Sequence, residues 1–514
     1  MKVLALEAST SNIKALLYDN VSGARMTREK HIPGELIRDG ALYDPDRLAL
    51  DMLALGRTVL EESGNVPDII SVSVTWHSLL LCDREMRPQS PVYLWTFRGA
   101  HPVTDRIRKD EEKAAALYRR TGAIVHPSYP RYKLEWLRET GISFDGLRII
   151  GLGTYLTWKL TGTVAALPAM AAGSGLYLIE KPEWDKEELE HLGIDPAQLP
   201  ELSDFHTTFP LGREAAYLLG VPEGIPCALA GPDGGLDQLG ADAMEPGIMT
   251  VSVGTSGSLR VSTGDTPRTS ARPSTWCYRS PVGGWLSGIG TSGATNCVDW
   301  AKEKYFPKRS FPEIEKMLCR FVDVSVGPAG PFRVTFGADG QPECITPVRV
   351  RADMLEECFE DGPVFLPFLF GSRGPYWEEW RTGGFLGVGD IALDYYYAVL
   401  EGVLLNLYQC YEIFSETNGV PHTARLSGGI INSPFWLTMC ADVFGMPMEL
   451  VPEKNSSLLG AAYLGCLALG EEPAVPGSGK ARSVIFPDAE RHTYYLRRYT
   501  RYKTAFRAQK PPLD

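Results

Sequence analysis

The chain has 514 residues, which is more than one hydrophobic core usually supports, so we expect two large domains. Its formal net charge of −12 argues against nucleic acid or an anionic membrane as the main partner, because both would be repelled. The ten cysteines show no metal-binding spacing, and the N-terminal apolar run ends at Glu7, too early for a signal peptide. These features predict a cytoplasmic protein with reduced thiols.

Two short strands with a turn between them are predicted at the start of the chain. Apolar residues 3–6 and 13–18 flank a turn of small and hydroxyl-bearing residues. The same order recurs in the second half, where residues 254–258 separate apolar runs at 249–253 and 259–262. This recurrence indicates the duplication of a whole domain rather than a short solenoid repeat.

Amphipathic helices follow the predicted hairpin in each half. Helical periodicity is present at residues 45–62, 103–120, 133–139, 296–304, 392–416 and 434–444. Strands that alternate with helices predict an α/β fold, with the junction between the halves near residues 231–247. The Pro- and Gly-punctuated stretch at 327–357 is interpreted as an insertion, either a covering flap or an oligomer contact. The apolar run at 391–414 carries Asp394 and Glu401, which favours a buried helix over a membrane span.

Both predicted turns offer what the phosphates of a nucleotide need, namely backbone N–H groups at close range together with hydroxyl groups or a lysine. The candidate phosphate contacts are Ser9, Thr10, Ser11 and Lys14 in the first turn and Gly254, Thr255 and Ser256 in the second. A single turn of this composition is more often a plain structural hairpin. Two copies at matching places in the two halves favour phosphate binding.

An aspartate at a predicted helix start is the candidate catalytic group. Phosphoryl transfer to an alcohol needs an acidic residue that accepts the proton and a metal that neutralises phosphate charge. Asp233 follows a Gly-Pro pair, and Asp237 lies one helical turn later on the same face. Standing alone, the segment would be interpreted as a helix cap followed by a solvated helix residue.

A glycine pair, Gly428 and Gly429, lies between an apolar run and a predicted helix start. Such a turn could hold a flat purine against the backbone, although a glycine pair is more often only a turn. Further along, residues 454–462 begin a helix of small residues that could pack closely behind such a site.

Taken in order, these segments resemble the FGGY carbohydrate kinases of the actin-like ATPase superfamily over essentially the whole chain. Residues 128–137 fit the first signature of that family, and residues 251–257 match its second phosphate motif. Asp233 lies seven residues before Gly240, where the catalytic aspartate of the family lies. Residues 366–377 and then the glycine pair follow in the order of the family.

The resemblance implies an α/β fold of two ribonuclease-H-like domains of the actin/hexokinase type with an interdomain cleft, covering residues 1–240 and 241–514. It also implies an ATP-dependent sugar kinase in which Asp233 is the general base and in which Glu7 and Asp233 hold Mg²⁺ through water. The implied ATP-binding residues beyond the two turns are Gly293, Gly428, Gly429 and Asn432. A homodimer is compatible with the analogy to relatives.

Within the family, the resemblance leans toward gluconate kinases, through residues 76–79 and 121–127 and through the glycine after the aspartate. The implied sugar-binding residues are Trp76, His77, Arg98, Asp233 and Asp237. Arg98 is the candidate cation for a gluconate carboxylate, with a plain surface arginine as the equal alternative. An isolated histidine such as His77 is otherwise usually a hydrogen-bonded core residue. D-gluconate is the first expectation, and xylulose or another ketopentose or polyol is the second.

Departures from the family pattern bear on substrate and efficiency. Glu7 and Ala8 stand where the family usually has aspartate and glycine. The usual acidic residue after Trp95 is missing, and Ser372 stands where a glutamate is common. A sugar sensor with weak catalysis is therefore a second hypothesis. An actin-like filament subunit is a third, but it accounts for neither the first signature nor the aspartate segment.

Overall fold

The structure is a computed structural model that describes residues 1–321, 334–336, 342–345, 350–451, 455–474 and 483–511. The chain divides into two compact units, and both are discontinuous in sequence. The first unit comprises Met1–Pro246, Ser262–Ser287 and Asn455–Ser478, and the second comprises Gly247–Val261, Gly288–Lys454 and Gly479–Asp514. The domain boundary at residue 240 stays a prediction. Of the predicted insertion at 327–357, only residues 334–336, 342–345 and 350–357 are described, and its role stays a prediction too.

Strands and helices alternate along the first part of the chain, in agreement with the predicted α/β fold. Its strands are β1 (Lys2–Ala8), β2 (Asn12–Asp19), β3 (Arg25–His31), β4 (Ile37–Arg38), β5 (Ala41–Leu42), β6 (Ile69–Val74), β7 (Leu80–Cys82), β8 (Val92–Tyr93), β9 (Arg148–Ile150), β10 (Ala165–Ala166), β11 (Glu201–Leu202), β12 (Thr208–Pro210), β13 (Pro226–Ala228) and β14 (Gly231–Pro232). Its helices are α1 (Pro45–Ser63), α2 (His101–Arg108), α3 (Glu111–Thr121), α4 (Pro130–Glu139), α5 (Leu152–Thr161), α6 (Pro168–Ala172), α7 (Lys186–Leu192), α8 (Arg213–Leu219) and α9 (Asp233–Gly240).

The same alternation continues after residue 246. The strands are β15 (Ile248–Val253), β16 (Gly257–Gly264), β17 (Trp276–Arg279), β18 (Trp285–Thr291), β19 (Val334–Phe336), β20 (Pro342–Ile345), β21 (Val364–Leu366), β22 (Gly384–Leu386), β23 (Thr423–Ser427), β24 (Met448–Leu450) and β25 (Val484–Ile485). The helices are α10 (Thr295–Tyr305), α11 (Phe311–Phe321), α12 (Ala352–Phe359), α13 (Ala392–Asn418), α14 (Pro434–Phe444), α15 (Ser456–Ala468) and α16 (Ala489–Ala508).

Both predicted hairpins are present, and each belongs to a seven-stranded mixed sheet. The first sheet has the order β12-β13-β6-β1-β2-β3, with β14 also paired to β6, and the second has the order β17-β18-β16-β15-β23-β24-β25. In the first sheet, β1 pairs antiparallel with β2 and parallel with β6. In the second, β15 pairs antiparallel with β16 and parallel with β23. The two hairpins therefore have matching neighbours.

Strand β1 divides the interior of the first unit into two apolar layers. Side chains alternate between the two faces of a strand, so Leu4 and Leu6 join one cluster with α1, α5 and α8. Val3 and Ala5 point the other way and join a cluster with α9 and α15. By the same alternation, Glu7 lies on the side of α9 and α15.

Most predicted helices are found, but the single helix predicted at 103–120 is wrong. The chain there forms α2 and α3, because the Asp110 carboxylate accepts a hydrogen bond from the backbone N–H of Lys113 and starts a new helix. Helix α4 starts at Pro130, earlier than predicted, since proline fits the first turn of a helix. The buried helix predicted over the apolar run is α13, and no described helix is long and apolar enough to cross a membrane.

Helices α9 and α15 touch through their backbones in the first unit. A Cβ atom placed on Gly460 would lie 1.9 Å from the carbonyl oxygen of Leu236, and one on Gly240 would lie 1.9 Å from the carbonyl oxygen of Ser456. No side chain could be accommodated at either point, because backbone atoms cannot rotate out of the way. The two glycines therefore fix the distance between α9 and α15.

Replacing Gly460 by alanine should destabilise the protein by about 1–3 kcal/mol, since overpacking against a backbone carbonyl outweighs the better helix propensity of alanine. The measurement is the urea midpoint of unfolding. Gly34→Ala is the matched control, because a Cβ there would meet nothing within 4 Å. Equal midpoints for Gly460→Ala and the unmodified protein would contradict the close contact.

A buried ion pair crosses the interior of the second unit. Arg498 of α16 and Glu401 of α13 are each 1% exposed, and their nitrogen and oxygen atoms lie 2.7–3.0 Å apart. Arg498 also donates to the carbonyl oxygens of Glu360, Gly362 and Pro363. Burial alone would lower the pKa of Arg498, but the charge of Glu401 raises it. The guanidinium therefore stays charged within the core.

Candidate active site

Asp233 is the first residue of α9 and follows β14 directly. Strands β14 and β6 run parallel, so Asp233 and Trp76 emerge at the same edge of the sheet. One carboxylate oxygen, Oδ1, accepts hydrogen bonds from the backbone N–H of Gly234 at 2.8 Å and of Trp76 at 3.3 Å. The side chain is thus half-buried, oriented and suited to accept a proton.

Trp76 and His77 are anchored to the end of α6. The indole N–H of Trp76 donates to the carbonyl oxygen of Ala169 at 2.9 Å. Nδ1 of His77 lies 2.6 Å from the carbonyl oxygen of Gly173. A carbonyl can only accept, so Nδ1 carries the proton. A Cβ on Gly173 would lie 2.5 Å from the Trp76 ring, which requires a glycine there. His77 has a φ of 65°, an uncommon backbone conformation for a residue with a side chain.

Lys133 ties two of the predicted substrate segments together. Its Nζ donates to the carbonyl oxygens of His77 at 2.6 Å, Tyr93 at 3.1 Å and Leu94 at 2.8 Å. Burial lowers the pKa of Lys133, whereas three carbonyl acceptors match the three N–H groups of an ammonium. Lys133 lies within residues 128–137, which fit the first family signature but had no predicted role.

Arg98 is half-buried and lies against a second histidine. Its Nη1 is 3.1 Å from Nε2 of His126, and Nδ1 of His126 is 2.7 Å from the hydroxyl of Ser128. The neighbouring Trp95 donates from its indole to the hydroxyl of Thr10 at 2.9 Å. The segment that carries Arg98 is therefore linked to the first predicted phosphate turn.

An aromatic wall of four residues, which we define as Trp76, Tyr129, Trp276 and Tyr278, surrounds the His77 segment. Trp276 and Tyr278 of β17 stack with ring centroids 4.4 Å apart, and both contact Trp76 edge to face. The hydroxyls of Tyr129 and Tyr278 lie 2.5 Å apart. Sequence reasoning missed both residues of β17, although aromatic residues two positions apart share one face of a strand.

Glu7 lies on β1 with both carboxylate oxygens engaged. Oε1 is 2.8 Å from Nζ of Lys14, its antiparallel partner on β2, and Oε2 accepts from the hydroxyl of Ser457 at 2.5 Å. On α9, Asp237 accepts a hydrogen bond from the hydroxyl of Ser456. The structure therefore joins both predicted carboxylates to helix α15, which the sequence did not place at the site.

The donor set of the first unit is compatible with a magnesium ion that is shared with a nucleotide. Among the described residues, no three His, Cys, Asp or Glu side chains gather into an all-protein metal cage. Mg²⁺ commonly binds through one or two carboxylates together with substrate phosphates and water. The carboxylates of Glu7 and Asp233 are such hard oxygen donors, and each oxygen has a second lone pair.

The first predicted phosphate turn is tightly closed. The backbone N–H and the hydroxyl of Ser9 both donate to the carbonyl oxygen of Asn12, at 2.9 and 2.8 Å. The hydroxyl of Ser9 is thus bonded within the turn, whereas the hydroxyl of Thr10 accepts a hydrogen bond from the indole of Trp95. Ser11 is exposed and Lys14 is held by Glu7.

The second predicted phosphate turn packs against the glycine pair within the second unit. The N–H of Gly254 donates to the carbonyl oxygen of Ser256, and the carbonyl of Gly254 accepts from the first residue of α10, Thr295. Gly428 has a φ of 96°, and a Cβ there would lie 2.5 Å from the carbonyl group of Val253. Only a glycine permits this approach.

The remaining predicted ATP-binding residues lie close to the same turn. A Cβ on Gly293 would lie 2.1 Å from the carbonyl oxygen of Pro367, and one on Gly429 would lie 3.0 Å from Thr295. The side-chain amide of Asn432 donates to the carbonyl of Gly429 at 3.2 Å. Thr255 is exposed at the tip of the turn. The ends of β15 and β23 and the start of α10 thus form one backbone-lined surface.

Comparison with known proteins gives a consistent match over both units. Residues 2–240 match the N-terminal domain of the FGGY family of carbohydrate kinases, and residues 249–469 match its C-terminal domain. A gluconokinase of Bacillus licheniformis is 27% identical over 495 residues, which cover 91% of this chain and 88% of that protein. Solved structures described as a gluconate kinase and a ligand-bound xylulose kinase, both from Lactobacillus acidophilus, each superpose with a TM-score of 0.84 at 25% identity, covering 99% of this chain and 98% of theirs. The chain belongs to the FGGY family of carbohydrate kinases.

Proposed function

We propose that the protein transfers the terminal phosphate of ATP to D-gluconate, with Asp233 as the general base. The observation that supports this most is the Asp233 carboxylate, which two backbone N–H groups hold beside Trp76 and His77. A base in this position can accept the proton of a sugar hydroxyl as the hydroxyl attacks phosphorus. Family membership favours this kinase over the filament subunit, and the oriented base favours it over a sensor.

The other predicted residues take roles that suit their positions. In this proposal, the turns at 9–11 and 254–256 bind phosphate oxygens, and the Gly428–Gly429 surface supports the adenine. Glu7 and Asp233 would hold Mg²⁺, and the ion would supply charge neutralisation for the phosphates. Trp76, His77 and Asp237 bind sugar hydroxyls. The aromatic wall offers an apolar face for the C–H groups of the sugar.

We prefer D-gluconate over an uncharged sugar because a half-buried arginine, Arg98, lies against His126 in the first unit. Arg98 can bind a carboxylate through two parallel hydrogen bonds, which an uncharged sugar does not offer. The gluconokinase relative supports the same choice. D-xylulose is the second candidate, since the xylulose kinase structure superposes equally well.

A coupled assay of ADP release should rank D-gluconate above xylulose, ribulose, glycerol and erythritol. In the same assay, Arg98→Met should lower kcat/KM for D-gluconate about ten- to a hundredfold, because a charge-assisted contact to the carboxylate is lost. The value for D-xylulose should change less than about threefold, since no carboxylate is present. Arg213→Met removes an exposed arginine paired with the exposed Glu223 and is the control. An equal loss for both sugars would contradict this role of Arg98.

A further inference from the structure

Two consecutive serines at the start of α15 contact two different carboxylates of the proposed active site. Ser457 donates its hydroxyl to Oε2 of Glu7 at 2.5 Å. Ser456 donates its hydroxyl to Oδ1 of Asp237. We call Ser456 and Ser457 the serine pair. All four residues belong to the first unit.

The helix places the two hydroxyls in different directions. Adjacent residues of an α-helix are rotated by about 100° around its axis, so neighbours cannot point at the same partner. Helix α15 is also held rigidly, because Gly240 and Gly460 bring its backbone into contact with α9. A hydroxyl on such a helix offers its partner a fixed hydrogen-bond donor.

Glu7 has particular need of a fixed donor. A glutamate has one more rotatable bond than an aspartate, and a free carboxylate loses more entropy when it is oriented. Lys14 holds Oε1 at 2.8 Å, and Ser457 holds Oε2, so the two contacts together define the plane of the carboxylate. Loss of Ser457 would leave this side chain free to turn about the lysine contact.

Asp237 lies one turn after Asp233 on α9, so a donor to Asp237 acts on the sugar side of the proposed site. The hydroxyl of Ser456, a buried residue, engages Oδ1 and so fixes the orientation of the Asp237 carboxylate. The two serines thus act on different halves of the reaction: one on the acceptor and one on the metal and phosphates.

We propose that the serine pair is a set of positioning residues, in which Ser456 orients Asp237 for the sugar and Ser457 orients Glu7 for magnesium. The inference rests on the proposed function, because it assigns parts to residues of that site. It predicts that the two serines have separable kinetic effects although they are neighbours in the chain.

The test compares Ser456→Ala and Ser457→Ala with Tyr463→Phe, which removes another hydroxyl from the same helix; among the described residues, that hydroxyl contacts no hydrogen-bond partner. Ser457→Ala should raise the Mg²⁺ concentration for half-maximal rate about tenfold and leave KM for the sugar unchanged. Ser456→Ala should raise KM for the sugar about tenfold and leave the Mg²⁺ requirement unchanged. Tyr463→Phe should change neither. The sugar is D-gluconate, or D-xylulose if the acceptor assay selects it.

Binding measurements without turnover give a second readout. Calorimetry should show weaker sugar binding to Ser456→Ala, and electron paramagnetic resonance should show weaker Mn²⁺ binding to Ser457→Ala in the presence of a non-hydrolysable ATP analogue. Ser456→Thr keeps a hydroxyl at that position and should restore the affinity for the sugar. Ser457→Thr keeps a hydroxyl and should restore the Mg²⁺ requirement.

Several results would overturn the inference. The serine variants could keep all parameters of the unmodified protein, or both serines could change sugar and metal parameters alike at unchanged thermal midpoints. If either alanine variant fails to fold, the cysteine variant of that serine, which keeps the size of the side chain but is only a weak donor, decides by the same criteria. A separate result, normal turnover of Asp233→Asn, would instead contradict the proposed function, so the two failures are distinguishable.

Discussion

Replacing Asp233 by asparagine is expected to lower kcat for sugar phosphorylation by about a thousandfold, because the amide cannot accept the proton of the sugar hydroxyl. The fold should be preserved. Both backbone N–H groups donate to the single oxygen Oδ1, and asparagine keeps an acceptor at that position. The measurements are kcat from steady-state kinetics with one sugar as the acceptor, and the thermal midpoint of unfolding.

Asp204→Asn is the control for this substitution. Asp204 is exposed and also accepts a backbone N–H, from His206, but it lies on a surface turn of the same unit. It should keep full activity. A kcat for Asp233→Asn within tenfold of the unmodified enzyme, with intact fold, would show that another group accepts the proton.

Replacing Arg498 by methionine should destabilise the second unit by about 3–5 kcal/mol, since it leaves the Glu401 carboxylate buried without its charged partner. The three carbonyl oxygens that Arg498 binds would lose their donors as well. The measurement is the urea-induced unfolding curve, followed by tryptophan fluorescence. The same curve followed by circular dichroism tests whether unfolding is two-state.

The adjacent Arg497 offers a matched control on the same helix. Its side chain is 45% exposed and pairs with Glu356 at the surface, so Arg497→Met should cost no more than about 1 kcal/mol. A double variant, Arg498→Met with Glu401→Met, should recover much of the loss because no unpaired charge remains. Equal costs for the two arginine variants would show that the buried pair contributes little to stability.

The sequence predicted best those elements that are determined by neighbouring residues in the chain. Both hairpins, the start of α9 at Asp233 and the bounds of α14 follow from short apolar runs and from proline and glycine at turns and helix ends. The break between α2 and α3 was missed because Asp110 also fits the helical period of a continuous helix. Only the structure shows that its carboxylate caps the next helix. Local patterns therefore predict elements better than they predict their interruptions.

Contacts between distant residues could not be predicted in the same way. The pairing of Glu7 with Lys14 follows from the hairpin register, seven residues apart, and was within reach of the sequence. The contact of Glu7 with Ser457 joins residues 450 positions apart, and nothing in either segment indicates the other. The aromatic residues of β17 were missed for the same reason, since their partners lie far earlier in the chain.

The direct backbone contact between α9 and α15 has a consequence for redesign of the acceptor range. Leu236 and Leu239 of α9 pack in one apolar cluster with α15, and Gly240 and Gly460 admit no larger side chain. Substitutions along this interface would therefore disturb the helix that carries the proposed base. Variation is better directed at Trp95 and Thr96, which are half-buried and lie in a turn outside α9. New sugars would then be selected around a constant catalytic centre.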